Sequence, residues 1–234
     1  SLNLSHNKNE ITKLSSDLYT TDRIYTGDPW IRGASGVTSH VVEEGRPVGQ
    51  FFMLECTGIK DGKYIITDLN GDGEISDDDR TYVGDAQPDL TFGWQNNFTW
   101  KNWDFSFFFT FSYGGEVLNA TKLTNTKTAT TNYSVLNIAN SSNRWMTVNS
   151  EGQLITDPEE MAAINAGRTV ACIYDMEMGD KYIHSWAVED ASYLKLSNVT
   201  LGYTFPKNLI ARIGLKNLRL YATGNNLLTW TKYS

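Results

Sequence analysis

Only 2 cysteines and 5 prolines punctuate the 234 residues. Cys56 and Cys172 stand far apart, with no CxxC spacing and no histidine beside them, so neither a disulfide framework nor a zinc site can be read. Histidine is as scarce: His6, His40 and His184 are scattered, and no HExxH occurs. No run of about 18 apolar residues is present, which excludes a membrane-spanning helix but not a β-barrel, whose strands leave a fainter trace. Lysine and arginine (20) are outnumbered by aspartate and glutamate (27), for a net charge of −7. No basic block exists to displace counterions from phosphates, so nucleic acid is excluded as the partner. Gly-rich phosphate loops are also missing. Asp157, Glu159 and Glu160 read as the acidic first turn of a short helix, not as a glycosidase pair. Nothing here supports an enzyme. The first residues, Ser1 to Leu4, form no signal peptide and read as mid-strand, so the chain is expected to be a piece of something longer.

What is abundant is aromatic: 12 Tyr, 10 Phe and 7 Trp, beside 19 Gly. That composition suits strands and tight turns and predicts an all-β class. From residue 102 onward, Trp103, Phe105, Phe107, Phe109, Phe111 and Tyr113 share one parity, and Asn102, Asp104, Ser106, Phe108, Thr110 and Ser112 the other. A period of two means a strand with an aromatic face and a mostly polar one. Residues 90–100 alternate more loosely, and Lys101-Asn102 closes the hairpin. A second hairpin spans 192–230. In it Val199, Leu201, Tyr203 and Phe205 share a face, Pro206 ends the strand, and 207–214 forms a helical turn. Leu194 and Leu196 break parity, which predicts a bulge or the end of an apolar band near Lys195. Weaker strands are expected at 2–14, 36–42 and 48–58, and a short helix at 158–166.

The face opposite the aromatics is Asn, Gln, Ser and Thr rather than Lys and Glu. Aromatics outward and small polar groups inward is the pattern of an outer-membrane barrel. Short turns at 43–47, 101–102 and 206–216 are expected on one rim, with long external loops 15–35, 59–89 and 114–191 on the other. The fold class expected is therefore all-β: antiparallel strands, about seven, of an incomplete outer-membrane barrel, since closure takes an even number of at least about 8.

Residues 68–79 read DLNGDGEISDDD. Asp68, Asn70 and Asp72 occupy the first, third and fifth positions of an EF-hand-type loop, Gly73 the sharp turn, Glu74 the carbonyl position and Asp79 the last. Such hard oxygen donors can wrap Ca²⁺. Asp replaces the usual bidentate Glu at the end, and 63–67 looks like a strand instead of an entering helix. An ion-free Asx-rich turn is the competing reading.

Five stretches carry a resemblance to the C-terminal part of SusC/RagA-type TonB-dependent transporters of the Bacteroidetes outer membrane. Residues 44–52 (EGRPVGQFF) resemble its GxPIGSFYG segment. Residues 68–88 resemble DxNxDGxIxxxD…GxxxP, and 104–119 resemble FDLS…GxxGxxxxN. Most specific are 189–206 (EDASYLKLSNVTLGYTFP) and 218–233, which resemble EDASYLRLKNVTLGYxxP…LRVYxxxxNLLTxTxY. The resemblance implies a barrel of about 22 strands with an N-terminal plug, powered by TonB and capped by a SusD-like lipoprotein. It also implies a cargo of oligosaccharides or peptides. The plug, the TonB-binding segment and the last strands are expected to lie outside 1–234. No catalytic residues carry over. The calcium-like loop carries over as an external-loop feature. The alternative function is a secreted calcium-loop β-module that binds glycans passively and buries 105–111 in a soluble core.

Overall fold

The computed structural model describes residues 1–31, 36–126, 135–172 and 183–233. Its strands are β1 (Leu2–Ser5), β2 (Arg23–Thr26), β3 (His40–Glu43), β4 (Gln50–Leu54), β5 (Cys56–Lys60), β6 (Lys63–Ile66), β7 (Arg80–Asp85), β8 (Leu90–Trp100), β9 (Trp103–Tyr113), β10 (Glu116–Leu118), β11 (Val188–Asp190), β12 (Tyr193–Thr204) and β13 (Arg219–Thr231). Short helices are α1 (Ala120–Asn125), α2 (Pro158–Asn165) and α3 (Lys207–Ile210). The chain divides into two compact units: Ser1–Lys8, Gln87–Glu116 and Asp190–Ser234 form the first, Asn9–Ala86 and Val117–Glu189 the second.

The first unit is an antiparallel sheet in the order β1-β8-β9-β12-β13. Its register lines up the apolar residues in cross-strand rows. One row is Leu4, Phe92, Phe111, Leu194 and Trp230; the next is Leu2, Trp94, Phe109, Leu196 and Leu228. Toward the short turns lie Phe98, Phe105, Leu201 and Ala222, then Trp100, Trp103, Tyr203 and Leu220. The rows between them, on the other face, include Asn97, Ser106, Thr200 and Thr223. The expected bulge is present at Ser197: β12 advances two residues from Leu196 to Asn198 while β9 advances one, from Phe109 to Phe108. That extra residue flips the parity, which is why Leu194 and Leu196 join the same apolar face as Val199 and Leu201. Lys101-Asn102 closes β8 onto β9 with Lys101 at φ 53, and 207–213 forms the expected helical turns before Gly214 at φ 77.

The second unit holds the hydrophobic cores. β4 is a short apolar run, with four of its five residues buried, as a strand covered on both faces requires. Phe51 and Met53 pack with Ile31, Leu123 of α1, Ile183 and Ala187. Leu54 faces Tyr64, Ile66 and Ala171 in a second cluster, and Ala139 meets Val170 in a third. The sheet β2-β3-β4-β7 and the β5-β6 hairpin frame these clusters. Arg80, at the start of β7, fastens the sheet by donating from its guanidinium to the carbonyls of Phe52 (2.6 Å) and Thr38.

Several expectations change here. The strands expected at 36–42 and 48–58 do form, but as β3, β4 and β5 in the second unit, so the sheet with the aromatic face has five strands. The turn at 43–47 accordingly joins β3 to β4 instead of capping that sheet. The strand expected at 2–14 stops at Ser5, because its partner β8 begins at Leu90, one residue beyond the Ser5–Thr91 pair. Residues 59–89 and 114–191, expected as long loops, carry regular structure among the described residues. They contain β6, β7, α1 and α2 and contribute Tyr64, Ile66, Leu123, Val170 and Ala187 to cores. Part of the Asn/Thr/Ser-rich stretch near 121–143 lies outside the described residues. The helix expected at 158–166 is α2, opened by Asp157, whose carboxylate accepts from the N–H groups of Glu159 (2.7 Å) and Glu160 (3.4 Å).

Candidate functional site: an aromatic sheet face and an acidic loop

The apolar face of the first unit is built by strand alternation and filled by aromatic pairs. Trp94 meets Phe107 edge-on at 5.2 Å and stacks on Phe109 at 6.0 Å, while Trp103 meets Tyr203 at 4.7 Å. Each such pair adds about 0.5–1.5 kcal/mol beyond burial. Among the described residues, none of the three core clusters includes a residue of this sheet. Trp94, Phe98, Trp100, Trp103, Phe105, Leu201, Leu220, Leu228 and Trp230 stay exposed. So long an apolar face without a covering layer costs too much in water and calls for an apolar surrounding.

The opposite face pairs its polar groups with one another. Asn198 donates to Asn225 (2.7 Å), Thr200 pairs with Thr223 (3.0 Å), and Thr110 pairs with Ser197 (2.8 Å). Arg219 grips Asp104 with two hydrogen bonds, at 3.0 and 2.5 Å. This ion pair passes over Gly202, where an added Cβ would lie 2.5 Å from an Asp104 oxygen. Glycine is the residue that leaves room for it.

The acidic loop lies in the second unit, and one turn of chain holds all five expected ligands. Asp68 accepts from the N–H groups of Gly71 (2.7 Å) and Gly73 (2.9 Å). Asn70 accepts from the N–H of Asp72 (2.9 Å), and Asp72 from that of Glu74 (2.8 Å) and the Asn70 amide (2.9 Å). Asp79 is fully buried. One of its oxygens accepts from the N–H groups of Leu69 (2.9 Å) and Asn70 (3.3 Å), the other from that of Ser76 (2.8 Å), completing a capping box. Glu74 contributes its N–H here. Among the described residues, no three His, Cys, Asp or Glu side chains converge as a metal cluster. The donor set is nonetheless all hard oxygen, of the kind that suits Ca²⁺. Asp79 instead staples the loop.

Hydrogen bonds from Ser76, and then from Asn70 and Leu69, hold the Asp79 carboxyl below its usual range. A depressed carboxylate stabilises the fold above its unfolded value, about 3.9, and loses that contribution as pH falls through the lower folded value. Hydrogen-exchange protection across 68–80, taken relative to the intrinsic rate at each pH, should therefore hold above the unfolded value and fall only in stronger acid. Asp79→Asn should show fast exchange at neutral pH. An unchanged profile in that variant would contradict the staple.

One constellation escaped the sequence. The Nζ of Lys122 lies 2.9 Å from Glu189 Oε1, the Asn119 amide donates to Glu189 Oε2 (3.2 Å), and Lys122 also donates to the Trp186 carbonyl (3.1 Å). Lys122 and Glu189 are 12% and 16% exposed, so this is a mostly buried ion pair closing the two ends of 117–189. Asn119 and Glu189 both stand in stretches that carried the resemblance, but only the fold brings them together.

No family model matches the chain. Among characterised proteins it is similar to TonB-dependent receptor P3 of Formosa agariphila, 31% identical over 252 residues, covering 99% of this chain and 22% of the relative. It is 29% identical over 240 residues to the TonB-dependent receptor SusC of Bacteroides thetaiotaomicron, covering 100% of the chain and 21% of SusC. Among solved structures, the RagAB peptide transporter matches with a TM-score of 0.68 at 22% identity, covering 99% of this chain and 23% of that one. This chain belongs to the SusC/RagA-type TonB-dependent receptors. It spans about a fifth of the length of the curated relatives it matches. Receptors of this type are outer-membrane β-barrel proteins, and the five-stranded antiparallel sheet is a piece of such a barrel wall.

Proposed function

We propose that this chain supplies wall strands and outer loops to an energised outer-membrane importer. The observation that carries the reading is the aromatic face, continuous across five strands and covered by no core of its own. In this reading the polar face lines the lumen, and the long connections 15–35, 59–89 and 114–191 are external, where a SusD-like lipoprotein caps the pore. TonB acts through the N-terminal part of the full-length receptor, and cargo is an oligosaccharide or a peptide. The protein carries no catalytic step. The aromatic face argues against a secreted glycan-binding module, which would need Phe105 and its neighbours in a soluble core.

The test is uptake by cells that express the full-length receptor. Accumulation of labelled oligosaccharide or peptide should require the receptor, TonB and the proton gradient. Accumulation that survives loss of TonB would overturn the importer. Within this reading the acidic loop takes Ca²⁺ through Asp68, Asn70, Asp72 and Glu74, with Asp79 closing the turn. The ion would offset the mutual repulsion of the carboxylates and stiffen the loop. Calorimetric titration of the full-length receptor should show Ca²⁺ heat that Asp68→Ala with Asp72→Ala abolishes, while barrel insertion is unchanged. Identical titrations for both proteins would leave the loop as an ion-free acidic turn.

A further inference from the structure

Charge is spread unevenly along this acidic chain. The whole carries −7, yet residues 191–234 hold six lysines and arginines and not one aspartate or glutamate. Two of the six are paired, Arg219 with Asp104 and Lys232 with Asp190. Three others, Lys207, Arg212 and Lys216, crowd the short connection between β12 and β13 and are exposed. Among the described residues, their side chains make no ion pair and no hydrogen bond. Lys101 adds a fourth cation at the same rim. The Thr204 N–H donates to the Asn102 carbonyl at 2.8 Å, which ties the two short turns together, and Lys101 Nζ lies 5.0 Å from the Trp100 ring.

The same connection exposes aliphatic side chains. Ile210 is buried, and its carbonyl accepts from the Leu215 N–H (3.1 Å) to close the turn. Leu209, Ile213 and Leu215 are exposed, Ile213 at 68%. The strands that enter and leave this turn end in the aromatic face. Its last row is Trp100, Trp103, Tyr203 and Leu220, and Phe205 meets Tyr203 edge-on at 5.0 Å.

Exposed aliphatic groups among unpaired cations match the boundary between acyl chains and charged headgroups. Leucine and isoleucine enter the acyl region, while the long basic side chains reach back to phosphate oxygens, lysine as a point charge and arginine as a planar fork. An acidic protein surface would satisfy the cations but would leave Leu209, Ile213 and Leu215 without an apolar partner. We propose that the 206–218 turn is a site for anionic phospholipid: Lys207, Arg212 and Lys216, with Lys101, hold headgroup phosphates while Leu209, Ile213 and Leu215 sit among the acyl chains. The inference rests on the barrel-wall reading, which puts the aromatic face in lipid, and adds a headgroup class and named contacts to it.

The experiment uses the full-length receptor in vesicles of phosphatidylethanolamine and phosphatidylglycerol. The photocrosslinker p-benzoylphenylalanine takes the place of Ile213 or, as a reference, of Phe107, and mass spectrometry identifies the lipid joined to each. At Phe107 the two lipids should appear in their bulk proportion. At Ile213 phosphatidylglycerol should be enriched by about three-fold or more over that reference, as several cations near the surface imply. The triple variant Lys207→Gln, Arg212→Gln and Lys216→Gln should return the ratio to the reference. So should about 1 M sodium chloride, where the Debye length falls to about 3 Å. Inorganic phosphate at matched ionic strength should compete no better than chloride, and preferential displacement by it would mean a site for the free ion instead. Heat-modifiable electrophoretic migration checks that each variant forms its barrel. An Ile213 ratio equal to the reference, an adduct to protein alone, or an enrichment that the triple variant keeps would each overturn the site. Lipid adducts at Phe107 under those outcomes leave the wall reading standing, whereas none at Phe107 removes that reading as well.

Discussion

Glu189→Ala should cost about 3 kcal/mol or more in the opening free energy of α1, because it leaves the Lys122 ammonium mostly buried without its counter-charge. The same change removes the acceptor of the Asn119 amide, whose side chain also caps α1 by accepting from the N–H of Lys122 at 3.0 Å. Glu189→Gln keeps an acceptor but not the charge, and should lie between wild type and Ala. The double variant Lys122→Met with Glu189→Leu should recover much of the loss, since replacing a buried pair by apolar side chains is often near neutral. Hydrogen exchange over Ala120–Asn125 in the full-length receptor reads all three. Equal protection in Glu189→Ala and wild type would mean the pair contributes nothing.

Phe107→Arg should destabilise the barrel by about 2–4 kcal/mol, the cost of a guanidinium near the middle of the lipid-facing band. Phe107 lies in the central row of the apolar face, across from Asn96 and Val199. The same substitution one residue earlier, Ser106→Arg, falls on the polar face between Asn97 and Thr200 and should cost far less. Denaturant unfolding of the receptor from bilayers compares the two. Equal losses would mean that the faces do not differ in surroundings.

How much of this was legible in the sequence follows from the range of each signal. Strict alternation over residues 103–113 is local, so the strand, its aromatic face and the two-residue turn before it could be read directly. The bulge was also visible, because Leu194 and Leu196 fall on the wrong parity for Val199 and Leu201. Sheet membership was not. The segments that became β3 and β4 alternate too weakly to say which sheet they join, and that choice rests on burial of Phe51 and Met53 against Leu123 and Ile183, far away in sequence. The acidic loop was legible as a motif, whereas the role of Asp79 as its buried staple depends on three N–H groups that only the folded turn aims at it. The Asn119–Lys122–Glu189 closure spans about seventy positions and leaves no local pattern.

The central claim is that the aromatic face meets lipid and the opposite face meets the aqueous lumen. The most direct measurement places single spin labels at Phe105, Ser106, Phe107 and Thr110 in the full-length receptor in bilayers. Collision rates with oxygen, which partitions into lipid, are then compared with those of a water-soluble nickel chelate. The account predicts high oxygen and low nickel accessibility at 105 and 107, and the reverse at 106 and 110. Nickel accessibility that is uniform along the strand, or alternation of the opposite phase, would contradict it.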